Sequence, residues 1–150
     1  MNKAQVGKRG ERAAARYLRR HGYDILERNI HLSHEEIDII AINRECIAFV
    51  EVKTRVMRPE DADRYSAPAS AVTYTKQAHL LRAASTYIAK HGISLQPRMD
   101  VIEVYLAPAE DLNSLGKWLE KISGAFGAPY RRILHIHHIE NAFGVHGFRA

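Results

Sequence analysis

Two β-forming runs, Glu36-Ile37-Asp38-Ile39-Ile40-Ala41-Ile42 and Ile47-Ala48-Phe49-Val50-Glu51-Val52-Lys53, flank the polar stretch Asn43-Arg44-Glu45. That pattern predicts an antiparallel hairpin. Centred between Arg44 and Glu45, it pairs Asp38 with Glu51 and Glu36 with Lys53. Residues two apart in a strand share a face, so these four side chains project from one side of the sheet. Directly opposed Cβ atoms lie about 5 Å apart, and a one-residue slip would destroy the alignment. Both faces of both runs are largely apolar, so the sheet is expected to be covered on both sides.

Two carboxylates that close repel unless a positive group sits between them. Mg²⁺ or Mn²⁺ is the natural candidate, since hard cations prefer oxygen ligands. Lys53, next on the same face, could orient or help deprotonate the attacking water. The set suits phosphodiester hydrolysis. The competing reading is a group of cross-strand ion pairs with no chemistry.

A first helix is expected from about Gln5 to His21, stopping at Gly22. On a helical wheel Gly7, Ala14, Ala15 and Leu18 surround Glu11, while Arg9, Arg12, Arg16, Arg19 and Arg20 take one flank and the back. A carboxylate on that apolar stripe needs a partner, and Glu11 could supply a further acid to the site. The net charge of the chain is +5, and seven basic residues against Glu11 alone fall within the first twenty. A focused basic region points to a polyanionic partner, and a solvated helix face is the bland alternative.

Tyr23 to Asn29 reads as a short strand. Val56 to Ala71 reads as a loop holding Arg58 and Arg64, which with Arg55 could hold phosphates. A second helix is expected from Thr75 to Lys90, with Lys76 at its N-terminal end able to face the site and bind a phosphate. Met99 to Leu106 and Arg132 to Ile139 read as strands, with a short helix, Leu115 to Phe126, between them.

The chain has 150 residues, which suggests one domain, residues 1–150. There is no run of eighteen apolar residues, so no membrane span is expected, and Met1 to Gly10 is polar and basic with no apolar h-region, so secretion is not expected. One cysteine, Cys46, rules out an internal disulfide framework, so a cytoplasmic location is expected. Cys46 has no evident base and is not read as a nucleophile. His135 and His137 share a strand face and could ligate Zn²⁺, but nothing completes the set, and buried or edge-strand histidines are the preferred reading of these and His138. Gly7-X-X-Gly10 is read as close helix packing.

Asp38 with Glu51-Val52-Lys53 resembles the PD-(D/E)XK signature of restriction endonucleases and archaeal Holliday-junction resolvases. More closely, the chain resembles the YraN-like family of small bacterial proteins. The resemblance rests on Gly7-X-X-Gly10-Glu11-X-X-Ala14, Gly22-Tyr23-X-Ile25-Leu26-X-Arg28-Asn29, Glu36-Ile37-Asp38-Ile39-Ile40-Ala41, Phe49-Val50-Glu51-Val52-Lys53-Thr54-Arg55, Arg98-Met99-Asp100-Val101 and His138-Ile139-Glu140-Asn141-Ala142-Phe143.

The resemblance implies an α/β, restriction endonuclease-like mixed sheet flanked by helices, with an αβββαβ core. It implies a divalent metal on Asp38, Glu51 and the Val52 carbonyl, with Lys53 assisting the water and Glu11 joining the site. Resolvase-like relatives act as dimers, so a homodimer is a further expectation. Two positions depart from the family pattern. Glu35 stands where the family usually has Gly, and Ile37 rather than Pro precedes Asp38. Residues 112–131 read as an insertion. The functional expectation is a metal-dependent nuclease acting on DNA, with Asp38, Glu51, Lys53 and Glu11 catalytic and Arg55 and Lys76 on the nucleic acid. The alternatives are a nucleic-acid-binding protein of repair or recombination that does not cleave, and a protein-interaction module with a structural acidic cluster.

Overall fold

The structure is a computed structural model that describes residues 3–32, 34–58, 60–61, 72–108, 118 and 132–144. Its elements run α1 (Lys3–Arg20), β1 (Asp24–Leu32), β2 (Glu35–Ile42), β3 (Cys46–Val56), α2 (Tyr74–His91), β4 (Gln96–Leu106) and β5 (Ile133–Ile139). The strands form one sheet in the order β1-β2-β3-β4-β5. Only β3 and β4 run parallel, with α2 between them in the chain. A parallel pair requires such a long connection, whereas β1, β2 and β3 need only turns. The mixed sheet with a helix on each face is a restriction endonuclease-like α/β fold.

Each face has its own core. Ala13, Ala14, Ala15 and Leu18 of α1 meet Ile39, Ala41, Ala48, Val50, Ile102 and Val104. Leu80, Ala83, Ala84 and Tyr87 of α2 meet Ile37, Ile40, Ile47, Phe49, Met99 and Val101 on the other face. Alanines bring α1 close to the sheet, and Gly10 brings it closest. A Cβ on Gly10 would lie 1.8 Å from Thr54 Oγ1 and 2.8 Å from Thr54 Cβ. The close-packing reading therefore holds for Gly10 and fails for Gly7, where a Cβ would meet nothing within 4 Å.

Capping sets the helix ends. The Thr73 hydroxyl accepts the Lys76 N–H at 3.2 Å and starts α2, and Gly92 at φ 59° ends it. Gly22, at φ 85°, lets the Tyr23 N–H return to the Leu18 carbonyl at 3.0 Å and closes α1.

Several elements outrun their expected limits. The first strand continues through Asn29 to Leu32, because Asn29 takes a positive φ of 49° without leaving the sheet. β4 begins at Gln96 and includes Pro97, opposite Ile47. The insertion at 112–131 and its helix lie outside the described residues, apart from the exposed Trp118, as do Arg64 and most of the loop after Val56. No helix among the described residues is long and apolar enough to cross a membrane.

Candidate active site

The hairpin register matches the expected one over four pairs, from Ile42–Ile47 to Ile39–Val50, and then stops. Beyond that point β2 stays paired with β1 as far as Leu32–Glu35, and β3 stays paired with β4 as far as Val56–Leu106. The two central strands therefore part, each following its outer neighbour. Asp38 and Glu51 stand where the gap opens.

Asp38 occupies the gap with its side chain. Its Oδ2 accepts the Val52 N–H at 2.7 Å, a backbone donor that a continued ladder would have used. In an extended strand a residue's N–H and C=O point the same way, so the Val52 carbonyl turns toward the gap as well. The alternation of faces also breaks here. Ile37 and Ile40 both belong to the α2-side core, while Ile39 and Ala41 belong to the α1-side core. Asn29, with its positive φ, stands between the flanking pairs Arg28–Ile39 and Ile30–Ile37 on the neighbouring strand. Strict parity along β2 thus fails at Asp38. The expected Glu36–Lys53 pair is absent from the register, and Glu36 is exposed and pairs with His31 of β1 instead.

The gap concentrates negative charge. Burial first, and then the nearby Glu51 carboxylate, push the Asp38 pKa up to about 7. The Val52 N–H opposes the rise, while Glu11 and Glu36 add to it. Glu51 is only 9% exposed. Two ammonium groups face it, Lys53 Nζ at 3.4 Å and Lys76 Nζ at 4.0 Å from Oε1. Lys76 comes from the first turn of α2 and also reaches Glu35 Oε2 at 3.7 Å. Glu35 Oε1 in turn lies 2.6 Å from His79 Nδ1.

The structure brings Asp38, Glu51, Val52, Lys53 and Lys76 together. Glu11 lies within the arc of the α1 stripe but is half-buried rather than covered, on the Asp38 side of the gap. Arg55 is exposed further along β3, and Arg58 pairs with Glu60 at 3.9 Å. Glu35 and His79 carried no signal beyond the departure noted at Glu35, since their meeting links residues 44 apart.

The other polar groups serve the sheet. Asp100, 1% exposed, takes a two-toothed contact from Arg98 at 2.8 and 2.9 Å, His138 at 2.8 Å and the Asn141 N–H at 3.0 Å. Burial works to raise the Asp100 pKa, but the hydrogen bonds from His138 and Arg98 win and hold it below the usual range. Glu103, also 1% exposed, accepts the Tyr105 hydroxyl at 2.9 Å and faces His137 Nδ1 at 3.3 Å. His137 and His138 are therefore carboxylate partners. Cys46 is buried, and burial pushes its thiol pKa up, away from nucleophilic use.

Among the described residues, no group of three or more His, Cys, Asp and Glu is placed to hold a metal ion. What the gap does offer is oxygen: two carboxylates and a main-chain carbonyl, a donor set suited to a hard cation. Burial is the main cause of the raised Asp38 pKa, and the neighbouring Glu51, Glu11 and Glu36 carboxylates add to it; a bound cation would oppose that like-charge part.

Comparison with known proteins gives the chain a family. Residues 10–104 match the model of an uncharacterised protein family, UPF0102. A UPF0102 protein of Caldanaerobacter subterraneus subsp. tengcongensis is 44% identical over 109 residues, covering 72% of this chain and 85% of its own length. One from Chlorobium chlorochromatii is 38% identical over 122 residues, covering 81% and 91%. A third, from Symbiobacterium thermophilum, is 46% identical over 105 residues, covering 69% and 85%. The match spans α1 to β4 and includes both carboxylates of the gap, and the chain belongs to UPF0102, the YraN-like family.

Proposed function

We propose that the chain is a metal-dependent nuclease that hydrolyses phosphodiester bonds in DNA at the gap between β2 and β3. The observation that carries this reading is the meeting of Asp38 and Glu51 where the ladder ends, with Lys53 Nζ 3.4 Å from Glu51. Mg²⁺ or Mn²⁺ held by Asp38, Glu51 and the Val52 carbonyl would supply Lewis-acid activation and offset charge on the phosphoryl oxygens. Asp38 is fixed for that task by the Val52 N–H. The Lys53 ammonium donates a hydrogen bond that aligns the attacking water with phosphorus, opposite the P–O bond that breaks. Lys76 Nζ, at the N-terminal end of α2, is in reach of a phosphate oxygen beside Glu51. Glu11 completes the acidic rim on the α1 side.

One observation favours the reading in which the protein binds nucleic acid without cutting it. Glu51 already has two ammonium partners, which satisfy its charge without a metal. Incubating the wild type, Asp38→Asn and Glu51→Gln with branched, single-stranded and duplex DNA in Mn²⁺ separates the two. Cutting by the wild type alone is expected. Retained DNA with salt-sensitive binding selects the non-cleaving alternative, and equal cutting by all three proteins refutes the assignment of the site.

A further inference from the structure

The groove beside Asp38 carries its own chemistry. It is lined by Lys8, Glu11 and Arg12 of α1 and by Arg28 and Asn29 of β1. Lys8, Glu11 and Arg12 are one helical turn apart and so share a helix face. Arg28 and Asn29 sit on β1, with Asn29 at φ 49°, next to the place where β2 carries Asp38. Lys8, Arg12 and Arg28 are exposed, and none of the three has an ion-pair partner among the described residues. Elsewhere around the gap the cations are engaged: Lys53 and Lys76 on Glu51, and Lys76 on Glu35. The groove therefore presents three unneutralised cations and one carboxylate, and that carboxylate, Glu11, lies on the side toward Asp38.

Three cations lining one groove, with no ion-pair partner among the described residues, suit an anion that is repeated and extended. Among the described residues the lining includes no aromatic ring for a base to stack on, and Asn29 is the only amide side chain there. A surface of this kind reads charge and spacing rather than base identity. The described lining residues, all charged or amide, offer no apolar side chain to enter a bilayer either, which favours a nucleic-acid backbone over a lipid surface.

We infer that the Lys8–Arg12–Arg28 groove is a sequence-independent track for the sugar-phosphate backbone of one nucleic-acid strand, leading that strand past Glu11 to the Asp38–Glu51 gap. This rests on the nuclease reading for its direction but not for its existence. Lys76 stands at the other side of Glu51, so a strand crossing the gap meets phosphate ligands before and after the carboxylates. The backbone could belong to a single strand or to one strand of a duplex, and the two are distinguished by measurement.

The test is fluorescence anisotropy of labelled single-stranded and duplex DNA of one sequence, titrated with full-length protein in EDTA at several salt concentrations. The variants are Lys8→Gln/Arg12→Gln/Arg28→Gln and, as a control on the same helix outside the groove, Arg16→Gln/Arg19→Gln/Arg20→Gln. Each phosphate contact contributes about 0.9 to the log–log salt slope on duplex and about 0.7 on single strands. The groove variant should lose roughly 2 to 3 from that slope on the preferred DNA, and the control should change it by less than about 1. Equal losses in both variants would overturn the groove. So would the absence of DNA binding by the wild type, or retention on phosphatidylcholine–phosphatidylserine vesicles in its place. Thermal melts of both variants show that they fold, as expected for exposed positions. Metal is absent throughout, so the groove can fail while cutting survives, and cutting can fail while the groove survives.

Discussion

The Asp38 carboxylate accepts the Val52 N–H at 2.7 Å, one step past Ile39–Val50, the last pair of the β2–β3 ladder. A side chain thus takes over a main-chain bond at the point where the strands separate. The same contact holds an acid in a half-buried gap beside Glu51, and the pH dependence of stability follows from it.

Asp38 titrates near 7 in the folded chain and near 3.8 when unperturbed. Between those values the native state holds more protons than the unfolded state, so stability falls as pH rises from about 4 to about 7. Asn keeps an acceptor for Val52 and does not titrate. Asp38→Asn should therefore gain roughly 2–4 kcal/mol on the wild type between pH 4 and 8. Urea unfolding in EDTA across that range measures it, and parallel pH curves for the two proteins would contradict it.

Asp38→Ala removes the acceptor as well as the charge. The Val52 N–H then loses its partner, which costs about 1–2 kcal/mol. Asp38→Ala should be less stable than Asp38→Asn by that amount at every pH, as read by the same unfolding curves.

Gly10 and Gly7 should respond in opposite ways to alanine. At Gly10 the new methyl group meets Thr54, on the strand that carries Lys53, and the overlap should cost about 1–3 kcal/mol. At Gly7 there is open space, and the better helix propensity should stabilise by up to about 1 kcal/mol. Thermal melts of the two variants give the comparison.

Asp100 has the opposite sign to Asp38. Its pKa is held below the usual range, so its contribution is present above about pH 4 and is lost as pH falls through its own lower value. Asp100→Asn leaves the Arg98 guanidinium with a weaker partner in a largely covered site and should cost about 3 kcal/mol at pH 7. That deficit should shrink toward pH 3, which acid unfolding of the two proteins would reveal.

The hairpin was legible because both strands are buried on both faces and a short polar turn fixes their register, which agrees over the pairs Ile39–Val50 to Ile42–Ile47. Its end was not legible. The apolar pattern runs on through Ile37 and Val52, and only a side chain replacing a ladder bond stops the pairing. For the same reason Glu36 does not pair with Lys53 as parity would have it. Glu11 was found from its place on an alanine stripe, but a wheel carries no information about where the sheet beneath the helix opens. The links Glu35–His79 and Asp100–His138 join residues 44 and 38 apart, and no local pattern encodes such meetings. The positive φ at Asn29 is a backbone event that asparagine permits without announcing.

The proposed function needs a cation held by Asp38 and Glu51 at the parting of β2 and β3. Isothermal titration of Mn²⁺ into the wild type at pH 8, with Asp38→Asn/Glu51→Gln as the comparison, reads that site without any substrate. One saturable ion per chain is expected for the wild type and none for the double variant. Equal heats from the two proteins, or no binding by the wild type, would contradict it.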